Sequence, residues 1–373
     1  MIKVLFAIGT RPEAIKMAPV IKTLEESDKF HVHICSTGQH REMLNQVFNF
    51  FDIKPDIELN IMKQGQTLAY LTSSISIEMD KLIQRIKPDI VIVQGDTTTA
   101  FISALIAFYN KISIAHIEAG LRTKNKYSPF PEEANRAFIS RIADYHFAPT
   151  ELSADNLISE GIDKDRIFVT GNTVVDALLE GKDILYSNNK LIESYNEKYS
   201  SIRQNRFILV TGHRRENFGD KFKNFCSALN RITEKLDFKI VYPVHLNPNV
   251  QKPVYSILGD NDNILLIDPV DYSEMIWLMD QCYIVITDSG GIQEEAPTFG
   301  KPVLVTRDVT ERPEGIEAGV SLLIGTDKKK IFEAVKKLDN KIAYDNISQV
   351  PNPYGDGTAA EQIRTILEQE LHR

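Results

Sequence analysis

Short segments of this chain place Arg, Lys, His, Asp or Glu directly after apolar runs. Gly9-Thr10-Arg11-Pro12-Glu13 follows Ile2 to Ile8, with Lys16 one helical turn on. Gln94-Gly95-Asp96 and three threonines follow Ile90 to Val93, and Glu118-Ala119-Gly120-Leu121-Arg122 follows Ile112 to Ile117. Gly212-His213-Arg214-Arg215-Glu216, then Pro243 and His245, then Asp288-Ser289-Gly290-Gly291 repeat the pattern later. Clustered charges cost desolvation, so a scaffold alone does not call for them. Carboxylates so placed can act as general acids and bases, and the cations and glycine turns can hold an anion.

The run Thr287 to Glu295 reads as a strand end, a glycine turn and a helix start. Backbone N–H groups and the helix dipole converge there, and glycine lets a phosphate approach the backbone. With Glu294 and Glu295 placed in the first turn, it reads as a nucleotide-diphosphate site, one carboxylate reaching a ribose hydroxyl. The plainer reading is Ser289 as N-cap of an ordinary helix. A long loop, Gly120 to Pro131, leads into a helix at Glu132, where Glu132 and Arg136 stand four apart. Loops of this length in α/β domains are often functional, although an i,i+4 ion pair would explain those two residues structurally. His116 alternates with Glu118 and could be a core histidine; His31 and His33 read as structural or exposed. Asp260-Asn261-Asp262 resembles a metal-binding spacing but reads better as a turn.

The elements that must position these residues are Val/Ile-rich runs alternating with amphipathic stretches. Ile2 to Ile8, Val32 to Cys35, Ile90 to Val93, Ile112 to Ile117 and Ile167 to Val169 form a first set. Phe207 to Val210, Lys239 to Tyr242, Ile264 to Ile267, Tyr283 to Ile286, Val303 to Val305 and Leu322 to Ile324 form a second. Buried strands alternating with helices indicate parallel sheets covered on both faces. The expected fold is α/β: two doubly wound, Rossmann-like domains with strand ends facing a central cleft. Residues 1–186 form the first domain and 187–357 the second. The connection is placed in the polar segment Ser187 to Arg206, and a closing helix near 358–373 is expected to return to the first domain.

At 373 residues, two domains are the natural expectation, and 43% apolar with 25% charged residues describes a globular protein. A net charge of −8 argues against a non-specific nucleic-acid binder. Three scattered cysteines, Cys35, Cys226 and Cys282, fit neither a disulfide framework nor a zinc site. No signal peptide or membrane-spanning run is read, which points to the cytoplasm. No G-x-G-x-x-G follows the first strand, no Walker A motif occurs, and no clustered His and Cys suggests a catalytic metal.

Several blocks together carry a family resemblance: Gly9 to Pro19, Gln39 to Leu44, Gly95 to Thr99, His116 to Arg122, Pro131 to Arg136, Thr211 to Glu216, Thr287 to Pro297, Thr310 to Glu314 and Asn352 to Gly357. They resemble the bacterial non-hydrolysing UDP-N-acetylglucosamine 2-epimerases nearly end to end. The resemblance implies the glycosyltransferase B and glycogen-phosphorylase type of fold and a homodimer. It implies interconversion of UDP-N-acetylglucosamine and UDP-N-acetylmannosamine without NAD or metal, supplying surface-polysaccharide precursors. By the same resemblance Asp96, Glu118, Glu132, Arg136 and His213 carry catalysis. Arg11, Lys16, Asp96, Glu118, His213, Val270, Met275, Ser289, Gly290, Gly291, Glu295 and Arg312 contact the substrate.

Carbon 2 bears no adjacent carbonyl, so the implied route is elimination of UDP to 2-acetamidoglucal and re-addition with protonation on the opposite face. Relatives that bind a second substrate molecule as activator carry glutamines matching Gln39 to Glu42 and an arginine matching Gly65. This chain departs at Glu42 and Gly65, leaving Gln39, Arg41, Glu42 and His245 as the allosteric candidates. Val270 stands where some relatives place a glutamine near uracil, so uracil contacts would come from the backbone. The alternatives are an epimerase for another UDP-2-acetamido sugar, a hydrolysing form, a glycosyltransferase on the same fold, or a binding protein without turnover. Turnover separates the last from the enzymes.

Overall fold

The computed structural model describes residues 1–38, 41–61 and 65–371, with the backbone alone for 41–43. It divides into two compact units, Met1–Glu180 with Tyr354–Arg373, and Gly181–Pro353. Unit 1 holds strands β1 (Ile2–Ile8), β2 (Phe30–Ser36), β3 (Ile57–Glu58), β4 (Ile90–Gln94), β5 (Ser113–Ile117), β6 (Tyr145–Ala148) and β7 (Ile167–Val169). They form one sheet in the order β3-β2-β1-β4-β5-β6-β7, every pair parallel. Unit 2 holds β8 (Phe207–Thr211), β9 (Lys239–Pro243), β10 (Ile264–Ile267), β11 (Ile284–Thr287), β12 (Val303–Val305) and β13 (Ser321–Leu323), in the order β10-β9-β8-β11-β12-β13, again all parallel.

Both sheets are therefore doubly wound, with the strand order reversing between β1 and β4 in one and between β8 and β11 in the other. Ligands of such sheets bind beyond the carboxyl ends of the strands at that reversal. The central strands β4, β8 and β11 are buried at every position, which is why they read as continuous apolar runs. Each sheet packs its own core. Leu5, Val91, Ile75 and Met79 belong to that of unit 1, and Val210, Ile286, Phe225 and Leu229 to that of unit 2.

The sequence reading placed the domain connection at Ser187 to Arg206, whereas the units divide at Glu180/Gly181, inside the helix Thr173–Ser187. The polar segment forms helices Asn189–Lys198 and Ser200–Arg203 of unit 2. Its polarity is local: Asn188 caps the first of these helices by accepting from Leu191 N. Its aromatics are anchors, Tyr199 stacking on Trp277 at 5.1 Å and Tyr195 hydrogen-bonding Ser273 at 2.7 Å. The return to unit 1 comes at Tyr354 rather than after 357, because Tyr354 is buried with Val174 and Val175 and its carbonyl accepts from Asn172 N. The closing helix Ala359–Glu370 lies in unit 1, where Asp176 accepts from Ala360 N at 2.8 Å and Lys29 meets Glu368 at 2.7 Å.

Candidate functional site

In unit 1 the reversal is closed by a carboxylate. Glu13, in the first turn of helix Arg11–Glu25, accepts from Gly9 N at 2.9 Å, Thr10 N at 2.6 Å and Thr97 Oγ1 at 2.6 Å. It thereby ties the loop after β1 to the loop after β4. Gly9 permits the approach, since a Cβ there would stand 2.2 Å from Thr99 Oγ1. Burial raises the Glu13 pKa to about 7, against the hydrogen bonds that favour its ionised form.

Beside this clasp stand the predicted catalytic carboxylates. Glu118 directly follows β5 with φ +62°, a left-handed backbone uncommon for non-glycine residues. Its buried side chain pairs with Lys16 Nζ at 2.6 Å and accepts from Gln94 Nε2. Asp96 pairs with Arg136 Nη2 at 2.5 Å, and its carbonyl accepts from Asn135 Nδ2 at 2.9 Å. Arg136 also meets Glu133 at 3.5 Å, so the i,i+4 pair with Glu132 read from the sequence is replaced by Asp96 and an i,i+3 partner. Glu133 turns its other oxygen to Thr123 N and Lys124 N, both at 3.0 Å, fixing the start of the long loop. Glu132, half-buried, has its pKa raised by burial and then by Asp96, with Arg136 opposing.

His116 is a core residue: Nε2 donates to Gly95 O at 2.7 Å, and burial pushes its pKa down to about 3. Arg11 opens its helix, partly exposed. Among the described residues no cluster of three or more His, Cys, Asp or Glu could hold a metal, and no helix is long and apolar enough to cross a membrane.

In unit 2 the reversal is again closed by a buried carboxylate, now from the other side. Asp288, just after β11, accepts on Oδ2 from His213 N at 3.0 Å and Arg214 N at 2.9 Å. Its Oδ1 faces His213 Nδ1 at 3.8 Å. The His213 ring stacks on His245 at 4.9 Å; burial lowers its pKa while Asp288 pulls the other way.

Ser289 is the N-cap of helix Gly290–Glu295, as the plainer reading has it, but caps through its backbone position alone, since its side chain makes no capping bond. Nor do Glu294 and Glu295 lie in the first turn. They close this six-residue helix, Glu294 pairing with Arg312 Nε and Glu295 accepting from Tyr272 Oη at 3.5 Å. A Cβ on Gly290 would stand 3.8 Å from Arg312 Nη2 and 4.0 Å from Arg214 Nη2, so two guanidinium groups border the glycine turn. Val270 and Met275 lie partly exposed at the carboxyl end of β10 and in the first turn of helix Tyr272–Gln281.

Of the allosteric candidates, Gln39 and the side chains of Arg41 and Glu42 lie outside the described residues; His245 is exposed against His213. Gln94 and Asn135, which bond Glu118 and the Asp96 carbonyl, and Glu133, which bonds Arg136 and the loop, lie in the segments named above but receive no individual role from the sequence. Their signal is polarity at the end of an apolar strand and on the buried face of a helix.

The chain matches the family described as UDP-N-acetylglucosamine 2-epimerase over residues 22–368. It belongs to that family. It is 53% identical to the Campylobacter jejuni UDP-N-acetylglucosamine 2-epimerase over 98% of this chain and 97% of that one. It is 51% identical to the Escherichia coli K12 enzyme of the same name, over 98% of both. The crystal structure of the Neisseria meningitidis UDP-GlcNAc 2-epimerase bound to UDP-GlcNAc superposes with a TM-score of 0.92 at 46% identity, covering 99% of this chain and 100% of that one. The paired doubly wound units of this epimerase family member are thus of the glycosyltransferase B type.

Proposed function

We propose that the protein interconverts UDP-N-acetylglucosamine and UDP-N-acetylmannosamine by eliminating UDP and adding it back. The bond from the anomeric carbon to the β-phosphate oxygen breaks, its electron pair leaving with UDP. The oxocarbenium character that develops acidifies the carbon 2 proton, which a carboxylate removes to give 2-acetamidoglucal. Protonation at carbon 2 from the other face and return of UDP give the epimer. Each step is an elimination or an addition with no hydride transfer, so the route itself calls for no NAD.

The observation that carries this reading is Glu118: a buried carboxylate held on strained backbone between Lys16 and Gln94, at the carboxyl end of a central strand. Strain of this kind persists where the surroundings over-determine it, and it clusters at active sites. Asp96, Glu118 and Glu132 serve the two faces of carbon 2, and Arg136 orients Asp96. The raised pKa of Glu132 suits the donor of a proton.

Arg11, Lys16, His213, Ser289, Gly290, Gly291 and Arg312 hold the diphosphate, Glu295 the ribose, and the backbone around Val270 and Met275 the uracil. Tyr272 steadies Glu295. The enzyme works as a cytoplasmic homodimer supplying a surface-polysaccharide precursor.

Proton NMR of the purified protein with UDP-N-acetylglucosamine in heavy water tests the reading. Deuterium at carbon 2 and a UDP-N-acetylmannosamine anomeric signal are expected. Free N-acetylmannosamine would mark a hydrolase instead, and no exchange would defeat the elimination route for this sugar.

A further inference from the structure

The cations of unit 2 are unequally neutralised. Arg312 is held by the buried Glu294. Arg307 lies against Glu216 at 2.8 Å and Glu311 at 3.6 Å. Of these three arginines Arg214 has the loosest tie, 3.9 Å to Glu311, an oxygen it shares with Arg307. Its side chain is one-third exposed, while its backbone N–H is fixed on Asp288. Its Nη2 nevertheless lies 4.0 Å from where a Cβ of Gly290 would stand, across from the Arg312 guanidinium. A guanidinium keeps its charge at any working pH and matches phosphate oxygens with paired donors.

Given the diphosphate site proposed above, we infer that Arg214 is a further catalytic residue, whose guanidinium leaves Glu311 to take up the negative charge appearing on the departing diphosphate. Cleavage of the anomeric bond adds one unit of negative charge to the leaving group, with no new proton on it. Arg312, already matched by Glu294, has little to spare for that increment. Arg214 has a backbone held on Asp288, a partly exposed guanidinium and a distant counterion, so its contact strengthens as the bond breaks, and such contacts lower the barrier rather than the ground state. It transfers no proton. Its second effect is retention: UDP must stay bound until it re-adds to the same glucal.

The test compares wild type with R214A, R214K and E311Q. UDP binding is measured by titration calorimetry, and turnover by proton and phosphorus NMR with UDP-N-acetylglucosamine. R214A is expected to lower kcat on the order of 10²-fold with a smaller change in KM. It should also release UDP and 2-acetamidoglucal into solution, which a purely structural role would not produce. R214K should recover part of the rate, because it restores the charge without the fork. E311Q, which frees Arg214, should bind UDP at least as tightly as wild type.

Wild-type kcat and UDP affinity in R214A would overturn the assignment, as would an E311Q variant weakened as much as R214A. The calorimetric arm needs no turnover. If wild type binds UDP yet does not epimerise this sugar, the substrate reading falls, and the role of Arg214 in diphosphate binding is still decided.

Discussion

The reversal points of the two sheets solve the same closure problem with the donor and acceptor sides exchanged. In unit 1 the carboxylate comes from the helix after β1 and reaches Thr97 beyond β4. In unit 2 it comes from the loop after β11 and reaches back to the amides of His213 and Arg214 beyond β8. What lies beside each clasp differs in sign. Unit 1 gathers Asp96, Glu118 and Glu132, with Lys16 and Arg136 as counterions. Unit 2 borders its glycine turn with Arg214 and Arg312. In the proposed mechanism one copy of the topology supplies the carboxylates for proton transfer and the other most of the groups that hold the diphosphate, because the clasp fixes the loops and leaves the neighbouring side chains free to vary.

The largest effect that would break this division is on Glu118. E118Q keeps the size of the side chain and its contact with Gln94 but cannot accept the carbon 2 proton. Deuterium exchange is expected to fall about 10³-fold, with UDP affinity in calorimetry close to wild type. An equal loss of both would show that Glu118 serves the diphosphate through Lys16 as well as carbon 2, and the carboxylates of unit 1 would not be reserved for proton transfer.

Next come the clasps themselves. E13A removes the acceptor for Gly9 N, Thr10 N and Thr97 Oγ1, releasing the loop that carries Asp96. Displacement of a reacting group by about 1 Å costs on the order of 10²-fold, so kcat should drop by that much while UDP still binds. D288A cuts the matching clasp in unit 2 and should instead weaken UDP binding, by about tenfold, the scale of one hydrogen bond to a charged group. If E13A lost UDP affinity and D288A lost only kcat, the comparison would be inverted.

Much of this was legible in the sequence, because parallel strands buried on both faces announce themselves as Val/Ile runs and the chemistry must follow their carboxyl ends. What escaped had weaker local signals. Strand β6, Tyr-His-Phe-Ala, has no aliphatic run, and β3 has two residues. The helices after Ser187 look like a linker because their caps are polar and their anchors are few. The partners of Arg136 could not be read, since Asp96 is forty residues away and helix spacing offered Glu132 instead. Glu13, at the third position of its helix, accepts from Thr10 N in a capping box and also reaches Thr97. Sequence spacing shows the first role and hides the second, which depends on which strands are neighbours.

The smallest effect concerns pH. Glu13 is buried with its pKa raised from the ordinary 4.5 to about 7. A carboxyl with a raised folded pKa contributes stability that is fully present below its unfolded value and is lost as pH rises through the folded one. Between pH 5 and pH 7 this residue therefore takes about 2 kcal/mol from unit 1. The buried histidines work in the opposite sense. His116 and His146, paired in register on β5 and β6, are pushed down to about 3 and about 4, so they favour the fold above 6.5 and oppose it as the medium acidifies. The two histidines together outweigh Glu13, while Asp176, raised to about 6 by burial, adds to the loss with rising pH, so the wild-type slope mixes all four groups and only a double difference isolates the clasp.

E13Q keeps an acceptor and a neutral head. Its stability relative to wild type, from urea unfolding followed by far-ultraviolet circular dichroism, should be about 2 kcal/mol more favourable at pH 7 than at pH 5. Trp277, the single tryptophan, sits in unit 2, so its fluorescence reports the unfolding of that unit beside the circular dichroism of the whole chain. A pH-independent offset between E13Q and wild type would mean that Glu13 stays ionised across the range, and the two clasps would then be electrostatically alike.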